Sequence, residues 1–421
     1  MRSAGTNSKA KGPFNISDAG PRFGSTELAA AIIRAALMLA VISALLLIAA
    51  LPVQAETETV LYNFTGAGDG AIPESRLTSD GAGNFYGTTD WGGRGWGTVF
   101  ELSLNGNGGW NETVLYSFTG FADGAYPYYS PVIFDSVGNL YGTTSWGGDG
   151  NGVVFELSPA GTSWTETVLY TFAGGKDGSH PANGLIMDPS GNLYGTTVAG
   201  GGRGSKGTVF ELSPSGGGWT EKVIYAVKTT PAGLTMDGAG NIFGVTTSTV
   251  FELSPNGKGG WNPTVIHTFT GRPRDGAKAQ GTPVLDQAGN LYGTTRLGGA
   301  KNQGTVYSLN PGGKGWQENV LYSFQGGKKD GNQPYAGIVF DAAGNIYGTT
   351  YGGGNSGDGT VFKLAPVGGG TYQESILWSF NGTDGWHPSD SLSLDSAGNL
   401  YGTTSAGGSS RLNGVVFEVT P

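Results

Sequence analysis

The chain contains no cysteine, only three histidines and few charged residues among its 421 amino acids. Without cysteine it has no disulfide framework, no thiolate chemistry and no lipid attached through a thiol. Charged residues make up 13% of the chain, where about 25% is usual, and lysine and arginine form few clusters. The net charge of −9 argues against nucleic acid and anionic membrane surfaces as partners.

Residues 56–421 also lack helical hydrophobic periodicity, a nucleophile elbow, a phosphate loop and a recognisable Ser-His-Asp arrangement. Glycine, in contrast, is abundant, with 79 residues. The glycines separate short runs rich in valine, leucine, phenylalanine and tyrosine. This pattern is typical of short strands joined by tight turns and not of a disordered chain.

The N-terminus differs in character from the rest of the chain. Residues 1–34 carry five lysines and arginines against two acids, residues 35–51 are apolar, and Val53-Gln54-Ala55 follows. This order is typical of a signal peptide, so we expect cleavage after Ala55 and export to the periplasm or the cell exterior. The apolar run also reaches the lower limit of about 17 residues for a membrane span. An uncleaved N-terminal anchor is therefore the alternative; after cleavage we expect no stable membrane span.

One motif, Y-G-T-T, recurs seven times at intervals of 49 to 55 residues, the fourth time as F-G-V-T. Its first residues are Tyr86, Tyr141, Tyr194, Phe243, Tyr292, Tyr347 and Tyr401. A period of this length with several short strands per unit is typical of β-propellers.

Each repeat contains four strand candidates, which we call A to D from the centre outward. In the second repeat they are residues 131–135, 140–144, 153–158 and 166–172, each bounded by turn residues. We therefore predict an all-β fold, a seven-bladed β-propeller of four-stranded antiparallel blades, over residues 56–421. Residues 57–64 resemble a D strand and residues 414–421 a C strand, so the N-terminal strand should close the ring in the last blade.

The repeated text, "DSVGNLYGTT" followed by "VVFELSP" in the second unit, resembles the GloVer tandem repeat and covers residues 57–421. That family consists of exported bacterial proteins that carry the repeat in series, often followed by a C-terminal anchoring signal. The resemblance implies the fold and the export, and it supplies no catalytic residues. Because this sequence ends on a strand without such a tail, we expect a freely secreted protein.

Propeller geometry assigns the loops to two faces. The A–B turns (Asp-x-x-Gly-Asn) and the C–D turns share one face and have the composition of structural turns. An aromatic residue recurs in the C–D turns, which predicts packing between blades. The B–C loops and the crossovers from strand D to the next strand A share the other face, and these loops vary. Blade 4 lacks the crossover Asp-Gly and the B–C glycines together, which predicts a notch on that face.

The variable face carries the candidate ligand-binding residues. Trp91, Trp146 and Tyr351 in the B–C loops, with Trp386 as a weaker candidate, could stack on sugars or peptides. The crossover motif Asp-Gly-x-x-Pro places four aspartates where they could bond a ligand or form an acidic ring near the channel mouth: Asp123, Asp177, Asp330 and Asp384. Turn formation and folding of each aromatic ring over its own blade are the structural alternatives.

Two functions remain open. The favoured one is a secreted, monomeric, non-enzymatic binding propeller that recognises a glycan or another extracellular or cell-envelope polymer. The alternative is a propeller lyase or hydrolase acting on a polysaccharide or peptide with acidic residues on the same face. Near-identical residues spread around the ring favour binding, so we predict no catalytic residues. We also predict no cofactor and no metal site, because blade separation keeps His180 and His387 apart; a cation at the channel mouth is compatible with the acidic crossovers.

Overall fold

The structure, a computed structural model, describes residues 56–421 except Lys314. The expected signal peptide, residues 1–55, lies outside the described residues. The described chain forms seven antiparallel blades arranged in a ring, which confirms the predicted seven-bladed β-propeller. None of the described residues forms a helix with the length and apolar character that crossing a bilayer requires.

The strands of the seven blades follow the sequence repeats. The A strands are Thr78–Ser79, Ile133–Phe134, Ser179–Met187, Pro231–Met236, Val284–Leu285, Val339–Phe340 and Ser393–Leu394. The B strands are Phe85–Thr89, Leu140–Thr144, Leu193–Ala199, Ile242–Thr246, Leu291–Gly298, Ile346–Thr350 and Leu400–Ala406. The C strands are Thr98–Leu104, Val153–Ala160, Thr208–Ser215, Thr249–Pro255, Thr305–Asn310, Thr360–Gly368 and Val415–Thr420. The D strands are Trp110–Ser117, Ser163–Thr171, Gly218–Ala226, Trp261–Thr268, Gln317–Ser323, Thr371–Ser379 and Thr57–Asn63.

Short segments extend the inner edge of three blades on the crossover side. They are Gly276–Ala279 in blade 5, Gly331–Asn332 paired with Gly352–Gly353 in blade 6, and Trp386–Pro388 in blade 7. In these three blades, crossover residues thus pair with strand B or with the loop that follows it.

The ring closes as the sequence predicts. The first strand, Thr57–Asn63, pairs antiparallel with the last strand, Val415–Thr420, and thereby becomes the D strand of blade 7. Val60 lies opposite Phe417 in this pairing. Closure leaves no open sheet edge at the seam and ties the two ends of the propeller together.

The hydrophobic core lies between neighbouring blades. Between blades 1 and 2, Tyr86, Val99 and Phe118 pack against Leu140 and Phe155. Each C strand carries a phenylalanine, or Tyr307 in blade 5, that is nearly or fully buried, and the glycine of the Y-G-T-T motif makes room for its ring. A Cβ added to Gly142 would lie 2.5 Å from Cζ of Phe155, so this position has to be glycine.

The face that carries the A–B and C–D turns is built as the turn chemistry predicts. In blade 2, Oδ1 of Asp135 accepts hydrogen bonds from the backbone N–H groups of Val137 and Asn139, both at 2.9 Å. The C–D tryptophans pack against the preceding blade, as shown by Trp261 and Tyr194 with ring centroids 5.8 Å apart. Both features stabilise the fold.

Candidate functional site

Trp91 and Trp146 are held in equivalent positions by the B–C loops of blades 1 and 2. The second threonine of Y-G-T-T donates from its hydroxyl to the backbone carbonyl of the tryptophan, at 2.9 Å for Thr89 and 2.8 Å for Thr144. Each tryptophan also forms a two-way backbone bridge with the crossover of its own blade. The backbone is thus fixed while the indoles stay 47% and 51% exposed.

The two tryptophans lie in one open cleft of about 460 Å³ at the boundary of blades 1 and 2. The other residues that line it are Asp90, Tyr126, Tyr128 and Ser145. The Tyr126 ring lies 4.9 Å from Trp91, centroid to centroid. The structure therefore brings two of the predicted residues together and adds four that the sequence analysis did not single out.

Tyr126 is the fourth residue of its crossover motif Asp-Gly-x-x-Pro. We call this position the slot, and its backbone is unusual in six blades. Each slot residue has a positive φ, between 53° and 58°, although none is glycine. These residues are Ile72, Tyr126, His180, Lys278, Gln333 and His387. A left-handed backbone at a non-glycine residue is costly and recurs at binding and catalytic sites.

Backbone hydrogen bonds to two blades hold the slot in this conformation. The N–H of Tyr126 donates to the carbonyl of Trp96 in blade 1 at 2.9 Å, and the Tyr126 carbonyl accepts from Ser145 N–H at 2.8 Å. The side chain at the slot differs from blade to blade while its backbone does not. The fixed geometry makes the slot a position from which differing side chains are presented on one face.

Carboxyl groups accompany the aromatic residues. Burial raises the pKa of Asp90 to about 6, and its Oδ1 is buried without a hydrogen-bond partner among the described residues. Burial, followed by the charges of Asp90 and Asp390, raises the pKa of Glu74 to about 8. These two acids are therefore partly or largely protonated near neutral pH and can donate or accept hydrogen bonds.

The prediction for Tyr351 needs a correction in register. Gly352, not Tyr351, occupies the position of Trp91, because Asn332 pairs with Gly352 as Ala71 pairs with Trp91. Tyr351 therefore aligns with Asp90, and a shift of one residue along a strand reverses the side-chain direction. It is half-buried and stacks on His387 of blade 7 with ring centroids 3.8 Å apart, and it does not line the cleft.

The crossover aspartates serve as turn-formers, the structural alternative. Asp123 accepts from the hydroxyl of Tyr116 at 3.0 Å and from the backbone N–H of Thr119 at 2.8 Å. Asp177, Asp330 and Asp384 make the equivalent bonds to Tyr170, Tyr322 and Trp378. Each of the aromatic partners belongs to an outer D strand. An acidic ring near the channel mouth stays a prediction. Binding of a ligand by these four aspartates stays a prediction.

Trp386 lies on the same face in blade 7, away from the cleft. It is 38% exposed, and its indole lies 4.8 Å from the imidazole of His387. With Tyr351 and His387 it forms a second aromatic group, at the boundary of blades 6 and 7. The structure thus divides the four predicted aromatics into two pairs.

A central cavity of about 580 Å³ lies where the inner strands meet. One residue from each blade illustrates its polar lining: Arg76, Tyr129, Asn183, Thr230, Gln280, Tyr335 and Asp390. Blade 4 contributes its shortened loops, in which Thr229 bonds to Thr246 at 2.7 Å. The crossover and the B–C loop of blade 4 therefore do share one surface, as the paired deletions predict.

Comparison of folds places the chain among solved propellers. The virginiamycin B lyase from Staphylococcus aureus matches with a TM-score of 0.53 and 12% identity, over 87% of this chain and 99% of the lyase. The extracellular domain of a hybrid two-component system protein from B. thetaiotaomicron matches with a TM-score of 0.54 and 13% identity, over 87% of this chain and 42% of that one. At these identities the likeness shows the fold alone.

Comparison of sequences gives a more specific result. No curated protein matches the chain in sequence. The Gloeobacter/Verrucomicrobia repeat family, in contrast, matches residues 48–250 and residues 230–421, which together cover the whole propeller. The chain therefore belongs to the Gloeobacter/Verrucomicrobia repeat family.

Proposed function

We propose that the protein is a secreted, non-enzymatic propeller that binds a neutral glycan in the cleft between blades 1 and 2. The observation that carries the proposal is the convergence of Trp91, Tyr126, Tyr128 and Trp146 on one open cleft. Indole and phenol rings present flat apolar surfaces that match the C–H faces of a sugar ring, and the tyrosine hydroxyls can bond sugar hydroxyls.

The charges of the cleft support a neutral ligand. Its lining includes Asp90 and Ser145 but neither lysine nor arginine. A polyanionic polymer would meet a protein of net charge −9 without a compensating cation at this cleft. A sugar hydroxyl, in contrast, would give the buried Oδ1 of Asp90 the hydrogen-bond partner that it lacks among the described residues.

Export would bring the cleft to where extracellular glycans occur. The expectation of export rests on the apolar run at residues 35–51 and on the cleavage sequence that ends at Ala55. The propeller's first strand begins at Thr57, so cleavage there would leave the seam strand complete. Mass determination of the exported protein should give an N-terminus at Glu56, and retention of residue 1 would favour a membrane anchor instead.

Glycan-array screening followed by titration calorimetry tests the binding proposal. Trp91→Ala and Trp146→Ala should each lower the affinity for the best ligand about ten-fold, a typical loss for one stacking ring. Phe121→Ala is the matched control, since Phe121 is 76% exposed but does not line the cleft. Equal affinity of all three variants would remove the cleft as the site.

A second candidate function, a polysaccharide lyase or hydrolase, is favoured by Glu74 and Asp90. Both carboxyl groups have raised pKa values near neutrality, as acid–base pairs require. The charge of Glu74 also contributes to raising the pKa of Tyr128 and of Tyr129, after burial. If the protein releases new sugar ends from a polysaccharide and Glu74→Gln abolishes that release, catalysis and not binding is the function.

A further inference from the structure

The junctions between neighbouring blades contain a repeated group of three polar side chains. An outer-strand aromatic residue donates to the crossover aspartate, and a glutamate from the next outer strand lies close enough to the aspartate for their charges to interact. The sets are Tyr62–Asp69–Glu112, Tyr116–Asp123–Glu166, Tyr170–Asp177–Glu221, Tyr322–Asp330–Glu374 and Trp378–Asp384–Glu58. In these five junctions an O–H or N–H group satisfies one aspartate oxygen.

The junction of blades 4 and 5 differs because histidine replaces the aromatic donor. Its members are His267, Asp275 and Glu318. Nε2 of His267 lies 3.5 Å from Oδ1 of Asp275, too far for a normal hydrogen bond. Both atoms, and Oε1 of Glu318, are buried without a hydrogen-bond partner among the described residues. Asp275 itself is only 8% exposed.

From this geometry we propose that His267, Asp275 and Glu318 bind a divalent first-row transition-metal ion such as Zn²⁺. The three candidate ligand atoms lie within 4.8 Å of one another. Ligand atoms on one zinc ion are roughly 3 to 4 Å apart, so the side chains have to draw together by about 1 Å. One imidazole nitrogen with two carboxylates is a donor set that suits zinc, manganese and iron.

The surroundings prepare Asp275 for this role. Oδ2 of Asp275 accepts from the backbone N–H of Thr270 at 2.5 Å and from its hydroxyl at 2.7 Å. These bonds leave Oδ1 directed at His267 and fix the carboxylate, as partners of metal ligands commonly do.

The site is also accessible to an ion. The side chain of His267 is 17% exposed, so an ion can enter from solvent. Two carboxylates and a neutral imidazole would neutralise most of the charge of a divalent ion. Without an ion, the alternative is a shared proton, since burial and then the charge of Asp275 raise the pKa of Glu318 to about 8.

Metal titration of the chelator-treated protein tests the proposal. The wild type should bind one equivalent of Zn²⁺ by calorimetry and show a higher thermal midpoint with Zn²⁺ than with chelator. Co²⁺ at the site should give the visible absorption of a low-coordinate complex. His267→Tyr introduces the tyrosine found at four of the five junctions above, so it should fold normally and lose the bound equivalent.

The repeat supplies a matched pair of glutamate variants. Glu318→Gln should lose or weaken the Zn²⁺ equivalent, whereas Glu166→Gln, at an equivalent junction without histidine, should leave it unchanged. Absence of a stoichiometric Zn²⁺, Mn²⁺ or Co²⁺ complex in the wild type would overturn the proposal. Binding that persists in His267→Tyr would overturn it as well, because the ion would then be elsewhere.

Discussion

The imidazole of His180 in blade 3 lies 4.5 Å from the indole of Trp146 in blade 2, with the two rings tilted by 49°. Tyr126 in blade 2 contacts Trp91 in blade 1 in the same way, at 4.9 Å. Each exposed tryptophan thus rests on the slot residue of the next blade. The proposed recognition surface is therefore made at blade boundaries, and it exists only when the ring is assembled.

The strained slot gives a prediction that does not depend on the ligand. Lys278 has a φ of 57° and an exposed side chain. Lys278→Gly should raise the free energy of unfolding by about 1 kcal/mol, because glycine tolerates the left-handed backbone and little packing is lost. Urea denaturation measures the change. Lys222→Gly in a D strand is the control and should destabilise, since its backbone is extended; destabilisation in both variants would contradict the account.

The glycine of Y-G-T-T gives a second prediction. In Gly142→Ala the new methyl would lie 2.5 Å from the buried ring of Phe155, so we expect a loss of about 1 to 3 kcal/mol in unfolding free energy. Adding Phe155→Leu should recover part of that loss by removing the clashing ring. If Gly142→Ala proves neutral in urea denaturation, the close packing of strands B and C is wrong.

Ring closure gives a third prediction. Val60 lies opposite Phe417 in the seam and packs against the blade 7 core. Val60→Pro should lower the unfolding free energy by about 3 kcal/mol, because proline removes a donor from the sheet and strains the strand. Val367→Pro, in the exposed C–D hairpin of blade 6, should cost less. Similar thermal midpoints for both variants would indicate that the seam contributes little.

The glutamates of the junctions predict that stability falls as pH rises. Burial, then the charge of the facing aspartate, raises the pKa of Glu166 to about 7 and that of Glu221 to about 8. A raised pKa means that the folded protein holds protons which the unfolded chain releases above about 4.5. The stabilising contribution is therefore complete below that pH and is lost between about 4.5 and 8.

Thermal unfolding between pH 5 and pH 9 measures this effect. The thermal midpoint should fall across the range. In Glu166→Gln the midpoint should depend less on pH, since glutamine stays neutral. Asp123 and Tyr116 face Glu166 and remain in place in this variant. A thermal midpoint that rises toward pH 9 would contradict the assignment of raised pKa values to the junction glutamates.

The repeat made most of the fold predictable from the sequence. Seven copies of Y-G-T-T fix the number of blades, and the strand types at residues 57–64 and 414–421 predict the closure. The turn at Asp135 was predictable because its chemistry is local. The partners of Asp123 were not, since Tyr116 lies on the preceding strand and no pattern in one sequence links the two.

The candidate site was predictable only in part. Trp91 and Trp146 stand out because exposed aromatics interrupt a glycine-rich loop. Tyr351 was misplaced by one residue, although its register could be read from the sequence: it follows Y-G-T-T directly, as Asp90 does. Tyr126 could not be singled out, because only the backbone shows that its slot is held in a left-handed conformation. His267 and Glu318 come together only through the contact between blades.

A crystal structure of the protein with the best-binding array glycan is the most direct test of the proposed site. The account predicts a sugar ring stacked on Trp91 or Trp146, with a hydroxyl within hydrogen-bond distance of Oδ1 of Asp90. A glycan bound in the central cavity, or over Trp386 and Tyr351 with the cleft empty, would contradict it.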